Sequence, residues 1–272
     1  MATVAPVDWD ASRAALADMS ARVTTLLRSG PDPGTPALGV WSVSEVATHL
    51  SHAFARLAEL AGGDAPSPLE RYWDLGEKTR GWVDADPERR LPVLADRIEA
   101  GAAAFLDRVP AGGADASRHW LVEGTDVPLS TLTCHLLNES MVHGFDIARA
   151  VRRPWPLERA YASMVLLGFV VPVVRRFAAE MINMETAAHL RASFEVRLRG
   201  GGGAVFVFDN GSLVVEDPGQ RVDCRVTADP EAFLLVVWNR ISQWQAIARG
   251  KLVATGRKPW LGLRFRSAFL SL

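Results

Sequence analysis

The segment CHLLNESMVHGFDIARA carries side chains that could hold a metal ion. Glu139 and His143 are four residues apart, so on a helix they lie on one face with their Cβ atoms about 6 Å apart. Asp146 follows three residues later on nearly the same stripe, where a carboxylate could orient a metal-bound imidazole through its second nitrogen. The same spacing is also typical of a solvated face that carries salt bridges.

A second segment, WSVSEVATHLSHAFARLAELAGG, supplies His49 and His52, three residues apart. Facing helices of a four-helix bundle can bring one of them to Glu139 and His143. Three protein ligands and an open position are what a catalytic zinc needs. We interpret His52, and also His135 one turn before Glu139, as core or surface histidines rather than ligands.

Helical periodicity dominates the first 185 residues or so. Ser42 or Ser44 can cap the second helix, with Glu45 three residues after Ser42 as in a capping box. Gly62-Gly63 predicts the end of that helix, and Pro172 predicts a kink in the last helix. Tryptophans at predicted helix ends and loops are interpreted as inter-helix packing. The predicted helices span residues 9–27, 68–83, 87–109, 125–151 and 157–183, with the second helix lying within 41–63.

Apolar and charged residues alternate from about residue 191 onward, which is typical of half-buried strands. Gly200 to Gly203 and Asp209-Asn210-Gly211 predict hairpin turns. Helices are expected at 230–239 and 242–249. The predicted strands span 194–198, 204–208, 212–216 and 223–227. The sequence thus predicts a mainly α four-helix bundle in residues 1–185 and a smaller α+β domain in residues 190–272.

Composition narrows the class of protein. The chain has 272 residues, 49% hydrophobic and 22% charged, with a formal net charge of -1, so it can bury a core and shows no charge excess for nucleic acid or an anionic membrane. The start, MATVAPVDWD, lacks the features of a signal peptide, and the most apolar stretch, 161–174, is too short to span a bilayer. A soluble, cytoplasmic protein is predicted, with no nucleic-acid or membrane partner.

The two cysteines, Cys134 and Cys224, form no disulfide framework. Cys134 lies one residue before His135, so on a helix it points about 100° away from the stripe with Glu139 and His143. Cys224 falls on a predicted strand. We interpret both as buried side chains rather than nucleophiles.

Two stretches around the candidate ligands resemble a known family. WSVSEVATHLSHA and NESMVHGFDIARAVRRPWPL are similar to the second-helix and fourth-helix signatures of the DinB-like, mycothiol-dependent maleylpyruvate isomerase family. The resemblance implies a DinB-like bundle that binds zinc through His49, Glu139 and His143. Arg152-Arg153-Pro154 stands where the family usually has Gly-Arg-Pro.

The C-terminal part also resembles a family. VDCRVTADPEAFLLVVWNRISQWQAIARGKLVATGRKPWLGLRFRSAF has the order of the sterol-carrier-protein-like domain often fused to this bundle. That order is a strand, an Asp-Pro-led helix, a short helix, Gly-Lys-Leu and a terminal amphipathic helix. The resemblance therefore implies a sterol-carrier-protein-like fold for residues 190–272.

The resemblance implies zinc, or another divalent metal, and a low-molecular-weight thiol, mycothiol in actinobacteria, as cosubstrate. A metal with an open position can hold the thiol as thiolate, the nucleophilic form. An isomerase would add the thiolate, rotate the adduct and eliminate it, whereas an S-transferase would keep the adduct. Arg80 and Arg240, with Arg257, are candidates to hold an anionic substrate. The expected partners are this substrate and the thiol, and the protein is expected to be a monomer or homodimer.

Two other functions remain open at this point. The protein could be a non-catalytic carrier of an apolar small molecule, which would have no need of the three ligands. It could also be a metal-dependent hydrolase on the same bundle, with a metal-bound water in place of the thiol.

Overall fold

The computed structural model describes residues 8–63 and 65–270, and the chain forms two compact units, Asp8–Leu157 and Glu158–Leu272, the second described to residue 270. The first unit is a four-helix bundle with an additional short helix. Its helices are α1 Trp9–Arg28, α2 Val43–Gly62, α3 Leu75–Ala85, α4 Leu91–Arg108 and α5 Leu129–Ala150. Both α1 and α2 pack against α4 and α5. The predicted bundle is confirmed.

The local signals of α2 act as the sequence indicates. The Ser42 side chain accepts from the Glu45 backbone and the Glu45 carboxylate accepts from the Ser42 backbone, which is a full capping box. Gly63 ends the helix with a φ of 87°, a conformation that costs glycine little. Gly101 of α4 lets the two helices approach closely, because a Cβ there would come within 2.8 Å of the Phe54 Cβ.

Three helices of the first unit begin later than we predicted: α3, α4 and α5 start at residues 75, 91 and 129 and not at 68, 87 and 125. For α5 the reason is a short strand that occupies its expected first turn. Two antiparallel ribbons form, β1 Pro36–Leu38 with β2 Trp41–Ser42, and β3 Ser117–His119 with β4 Asp126–Pro128. Pro128 therefore lies before α5 as its N-cap, with an extended backbone, and not in its first turn. Strands of two or three residues are too short to show alternation, so the sequence pattern did not reveal them.

The helix predicted over 157–183 is divided into several pieces in the second unit. A π-helical turn, Leu166–Val170, directly precedes the segment with Pro172. Proline cannot donate a backbone hydrogen bond, and a π-turn is one way in which a helix accommodates that loss. The pieces are α6 Arg159–Val165, α7 Val171–Arg176, α8 Ala178–Met181 and α9 Met184–Ala187.

A five-stranded sheet forms the core of the second unit, in the order β7-β6-β5-β8-β9. Neighbouring strands are antiparallel except β5 and β8, which are parallel. Asn210 and Gly211 have φ angles of 46° and 95°, as the predicted two-residue hairpin requires. The strands are β5 Arg191–Leu198, β6 Gly203–Asp209, β7 Ser212–Glu216, β8 Cys224–Ala228 and β9 Leu252–Thr255. The predicted α+β class is confirmed.

The remaining helices of this unit are α10 Pro230–Val237, α11 Gln243–Ala248 and α12 Gly262–Phe265. The terminal amphipathic helix that the resemblance implies is present as α12 with single 3-10 turns on each side. Strand β9 begins at the leucine of the Gly-Lys-Leu stretch and was not predicted.

The two compact units divide at residue 158, earlier than the change of sequence pattern near residues 184–190. Helix α6 packs on α10, and α7 and α8 pack on β7, so these helices belong with the sheet. Helical periodicity shows that a segment is helical, but not which unit it packs against. The domain boundaries 1–185 and 190–272 stay a prediction. None of the described helices combines the length and apolar character that crossing a bilayer requires.

Candidate metal centre

Helices α2 and α5 bring together His49, Glu139 and His143. The imidazole Nε2 of His49 lies 2.9 Å from Glu139 Oε2, and Nε2 of His143 lies 3.4 Å from the same oxygen. One ligand atom from each of the three residues lies within 4.8 Å of the others. The facing helices thus supply the second-helix histidine that the spacing alone left open.

The three side chains are largely removed from solvent, with exposed fractions of 12–15%. The rings of His49 and His143 meet edge to face, with centroids 4.7 Å apart. Their ring nitrogens therefore converge on a single carboxylate oxygen in a poorly hydrated site. A solvated salt-bridging face, the other interpretation of the Glu139 and His143 spacing, does not describe this arrangement.

The charges of the cluster are balanced by histidine protons. Burial acts to raise the pKa of Glu139, but hydrogen bonds from His135, His143 and His49 hold it well below its usual value. Burial lowers the pKa of His49, and its bond to Glu139 offsets only part of that effect. For His143, burial acts in the same direction, yet Asp146 and Glu139 raise its pKa to about 9.

Asp146 forms the expected hydrogen bond with His143. Its Oδ2 accepts from the Nδ1 of that ring at 3.2 Å, and the carboxylate is fully buried. Because Nδ1 is engaged, the ring presents Nε2 toward Glu139 and His49. This is the arrangement in which an outer carboxylate fixes the tautomer and orientation of a metal-binding imidazole.

The donor set fits a divalent metal. Two imidazole nitrogens and one carboxylate oxygen are typical of zinc sites that keep an open position, with ligand atoms about 3.4 Å apart around a tetrahedral ion. The His143 to Glu139 separation already has this value. Trp41 packs beside His49 with ring centroids 5.5 Å apart, and its buried indole N–H has no partner among the described residues. A bound group near the cluster could accept that N–H.

His52 lies outside this cluster, as expected. Its Nε2 hydrogen-bonds Asp86 Oδ2 at 2.8 Å, and Arg97 binds the same oxygen at 2.7 Å. Hydrogen bonds, first from His52, lower the pKa of Asp86 to about 2. His52 therefore belongs to an ion-pair cluster with Asp86 and Arg97.

His135 is a core histidine, but it also touches the candidate ligand Glu139, which sequence reasoning missed. Its side chain is 7% exposed, and its Nε2 lies 3.6 Å from Glu139 Oε1. The indole N–H of Trp120 donates to its Nδ1 at 3.3 Å. Position i−4 on the helix was a usable signal for the contact with Glu139, but nothing in the sequence indicated Trp120.

Trp155 is a second contribution that the sequence did not reveal. It donates from its indole nitrogen to the Met141 carbonyl at 3.1 Å. Its ring packs against Gly144, where an added Cβ would collide with it. Glycine at this position therefore allows a tryptophan to cover α5 beside His143.

The candidate substrate-binding arginines lie in different units. Arg80 is exposed on α3. Hydrogen bonds from Ser42 lower the pKa of Glu45, one turn before His49 on α2, and the charge of Arg80 adds a smaller effect in the same direction. Arg240 is half-buried in the second unit and donates to the Trp238 carbonyl. Arg257 pairs there with Asp223. Roles for Arg80 and Arg240 in binding a substrate stay a prediction.

Neither cysteine is placed to act as a thiolate. Both are buried and free. Burial raises the pKa of Cys134 to about 12 and also raises the pKa of Cys224. The interpretation of both as buried side chains is confirmed.

The structure defines a class of protein in which a four-helix bundle with a buried His, Glu, His cluster is followed by an α+β unit. The profile of the mycothiol maleylpyruvate isomerase N-terminal domain matches residues 12–148, and that of the SCP-2 sterol transfer family matches residues 175–265. The first match covers half of the chain. The protein belongs to the mycothiol maleylpyruvate isomerase N-terminal domain family.

Two solved structures are similar over nearly the whole chain. The crystal structure of the mycothiol-dependent maleylpyruvate isomerase shares 14% identity over 94% of this chain and 96% of that chain, with a TM-score of 0.51. A histidine-to-alanine variant of that enzyme shares 13% over the same fractions, with a TM-score of 0.53. At these identities the likeness shows the fold. Among curated protein sequences, none matches this chain.

Proposed function

We propose that this protein is a metal-dependent enzyme that uses a low-molecular-weight thiol, mycothiol, to isomerise a small electrophilic substrate. The observation that carries the proposal is the buried cluster of His49, Glu139 and His143, in a bundle of the mycothiol maleylpyruvate isomerase family. The similar solved enzyme is named for its dependence on mycothiol and for maleylpyruvate. Maleylpyruvate is therefore the first substrate to test.

Zinc fits the ligands best. His49 and His143 would bind it through Nε2 and Glu139 through Oε2, since these atoms already converge. One carboxylate offsets one of the two charges of the ion, which leaves a site that attracts an anionic sulfur. A bound zinc ion would supply a Lewis acid with an open position, where a thiol is held as thiolate near neutral pH.

The residues around the cluster have separate tasks in this proposal. Asp146 orients His143, and the bundle excludes water from the ligands. Arg80 would hold a carboxylate of the substrate from α3, and Arg240 is a second candidate. With pKa values raised by burial, Cys134 and Cys224 are poor nucleophiles, so the sulfur would come from the external thiol.

The first experiment measures the metal and the thiol separately. Purified protein should contain about one zinc ion per chain, and mycothiol should raise the melting temperature of the zinc-loaded protein more than that of the chelator-treated protein. Maleylpyruvate should be converted only when both zinc and mycothiol are present. A zinc-free protein that converts maleylpyruvate at the same rate would contradict the proposal.

A double variant, Cys134→Ala with Cys224→Ala, tests the source of the sulfur. It should bind zinc and turn over with added mycothiol, because neither cysteine is among the candidate ligands and burial raises the pKa of both thiols. A folded, zinc-loaded double variant without thiol-dependent turnover would show that a protein cysteine is needed.

The same assays separate the alternatives. A hydrolase would use the same ligands but would consume its substrate at a rate independent of added thiol. A carrier of an apolar molecule would bind its ligand equally well after Glu139→Gln. An S-transferase would accumulate a mycothiol adduct, which mass spectrometry detects, whereas an isomerase regenerates the free thiol.

A further inference from the structure

Behind Glu139, on the side away from His49, lie two buried side chains that the proposed reaction does not use. Trp120 is 1% exposed and stacks on Tyr72, with ring centroids 6.4 Å apart. Its backbone N–H donates to the Thr125 carbonyl at 2.9 Å, which continues the β3–β4 ribbon by one pair. The ribbon therefore fixes the Trp120 backbone, and Tyr72 supports its ring.

The indole nitrogen fixes the state of His135. An indole N–H can only donate, so the His135 Nδ1 that lies 3.3 Å from it must accept. Nδ1 then carries no proton, and the ring's own proton is on Nε2. That nitrogen is the one that lies 3.6 Å from Glu139 Oε1. The proton of His135 therefore lies on the nitrogen that faces the Glu139 carboxylate.

The two oxygens of Glu139 consequently have different surroundings. Oε1 lies toward His135 and accepts from the Asn138 amide at 3.4 Å. Oε2 lies toward His49 and His143. A carboxylate held by one oxygen from behind presents the other as a single, directed ligand.

We propose that Trp120 and His135 position Glu139 so that it binds the metal through Oε2 alone, with His135 held as its Nε2–H tautomer by the Trp120 indole. This inference rests on the proposed metal site, but the tautomer does not require a metal. His135 and Trp120 are positioning residues, because neither of them touches the metal or the substrate. Outer residues of this kind change metal affinity by about 10–100-fold.

The first test observes the tautomer in metal-free protein. Long-range proton–nitrogen correlation spectra distinguish a neutral histidine protonated at Nε2 from one protonated at Nδ1. The wild-type His135 should show the Nε2–H pattern, and Trp120→Phe should shift it toward a mixture, because the donor to Nδ1 is removed. A wild-type His135 protonated at Nδ1 would overturn the inference, whatever the protein does with zinc.

The second test compares zinc affinities by chelator competition in variants that keep or remove the donor. His135→Leu removes it, and the zinc dissociation constant should rise about 10–100-fold. His135→Gln can place an amide N–H near the position of Nε2 and should recover most of that loss. Trp120→Phe should weaken zinc binding about 10–20-fold, in the lower part of that range. Trp73→Phe, on the exposed Trp73, is the matched control and should leave the affinity unchanged.

The outcomes keep the two proposals apart. No zinc binding by the wild-type protein would contradict the proposed function. Tight wild-type binding that His135→Leu and Trp120→Phe leave unchanged would overturn the positioning roles only. Equal losses of zinc affinity in His135→Leu and His135→Gln would also overturn the positioning roles. An amide N–H can replace a hydrogen-bond donor, but it cannot replace a ring whose only role is to fill space. Should Trp120→Phe fail to fold, the His135 pair and the wild-type tautomer still decide the matter.

Discussion

Two buried glutamates, one in each unit, show how the partners of a carboxylate decide what it can do. Glu195 on β5 is 4% exposed, and both its oxygens are bound by arginines, Oε2 by Arg225 at 2.7 Å and Oε1 by Arg197 at 2.8 Å. Glu139 on α5 has no arginine among the partners described for it. Its contacts are with the imidazoles of His49, His135 and His143 and the amide of Asn138.

The two glutamates differ in whether their partners can lose a proton. Arginine stays charged at any ordinary pH and offers no lone pair, so Glu195 is permanently occupied by its partners. Imidazole can lose its proton and then bind a metal through the freed nitrogen, so the partners of Glu139 can become ligands beside it. A buried carboxylate matched by imidazoles is a candidate metal site, whereas one matched by guanidinium groups is a structural ion pair.

The largest expected effect tests that difference directly. Glu139→Gln and His49→Ala each remove a metal ligand, so each should weaken zinc binding by more than the about 10–100-fold expected for loss of an outer residue. Glu195→Gln should leave zinc affinity unchanged, and so should His52→Ala, whose imidazole pairs with Asp86. Chelator competition measures all four. If His52→Ala loses zinc while His49→Ala keeps it, the assignment on α2 is wrong.

Asp146→Asn should have the next largest effect, lowering zinc affinity by about 10–100-fold, because His143 loses the charged acceptor on its Nδ1. Asp18→Asn on α1, which removes an acid from a partly exposed pair with Arg22, is the control and should not change zinc affinity. Isothermal titration with zinc measures both. An Asp146→Asn protein that binds zinc as tightly as wild type would show that orientation of His143 does not depend on this carboxylate.

Glu195→Gln should act on stability instead. Burial acts to raise the pKa of Glu195, but the two arginines lower it below 4.5, so the folded state favours the charged form. The variant should lose about 1–2 kcal/mol at pH 7, since solvent screens the partly exposed arginines. The pKa of Glu195 is lower in the folded state than in the unfolded state. The difference in unfolding free energy between wild type and variant should therefore have its full value above about pH 4.5, and it should vanish as the pH falls through the folded pKa. Urea unfolding between pH 7 and pH 3 measures it, and a loss independent of pH would contradict the charge argument.

The smallest expected effect concerns the turn after α5. Arg152 has a φ of 56°, the left-handed region that favours glycine. Arg152→Gly should raise the free energy of unfolding by about 0.5–1 kcal/mol, since relief of the strain exceeds the entropy that glycine adds to the unfolded chain. Arg153 does not have a positive φ. Arg153→Gly should therefore lower the free energy of unfolding, because glycine adds entropy to the unfolded chain without relieving strain. Equal changes in the two variants would mean that the backbone angle is not the cause.

Features carried by neighbouring residues were determined by the sequence alone. The capping box of Ser42 and Glu45, the hairpin turn at Asn210-Gly211 and the common face of Glu139 and His143 each depend on groups a few residues apart. Their geometry follows from the helix and turn periods, so the pattern predicts them. The resemblance to the family added His49, which spacing by itself had not separated from His52.

Tertiary structure decided the choices that depend on distant parts of the chain. Packing of α2 on α5 turns His49 toward Glu139, while the chain before α4 offers Asp86 to His52. The β3–β4 ribbon carries Trp120 to His135, although its three-residue strands leave no alternation in the sequence. The helical segment after residue 158 packs with the sheet although its pattern matches the bundle. In each case the outcome depends on contacts between segments that are far apart in the sequence, and only the folded chain brings those segments together.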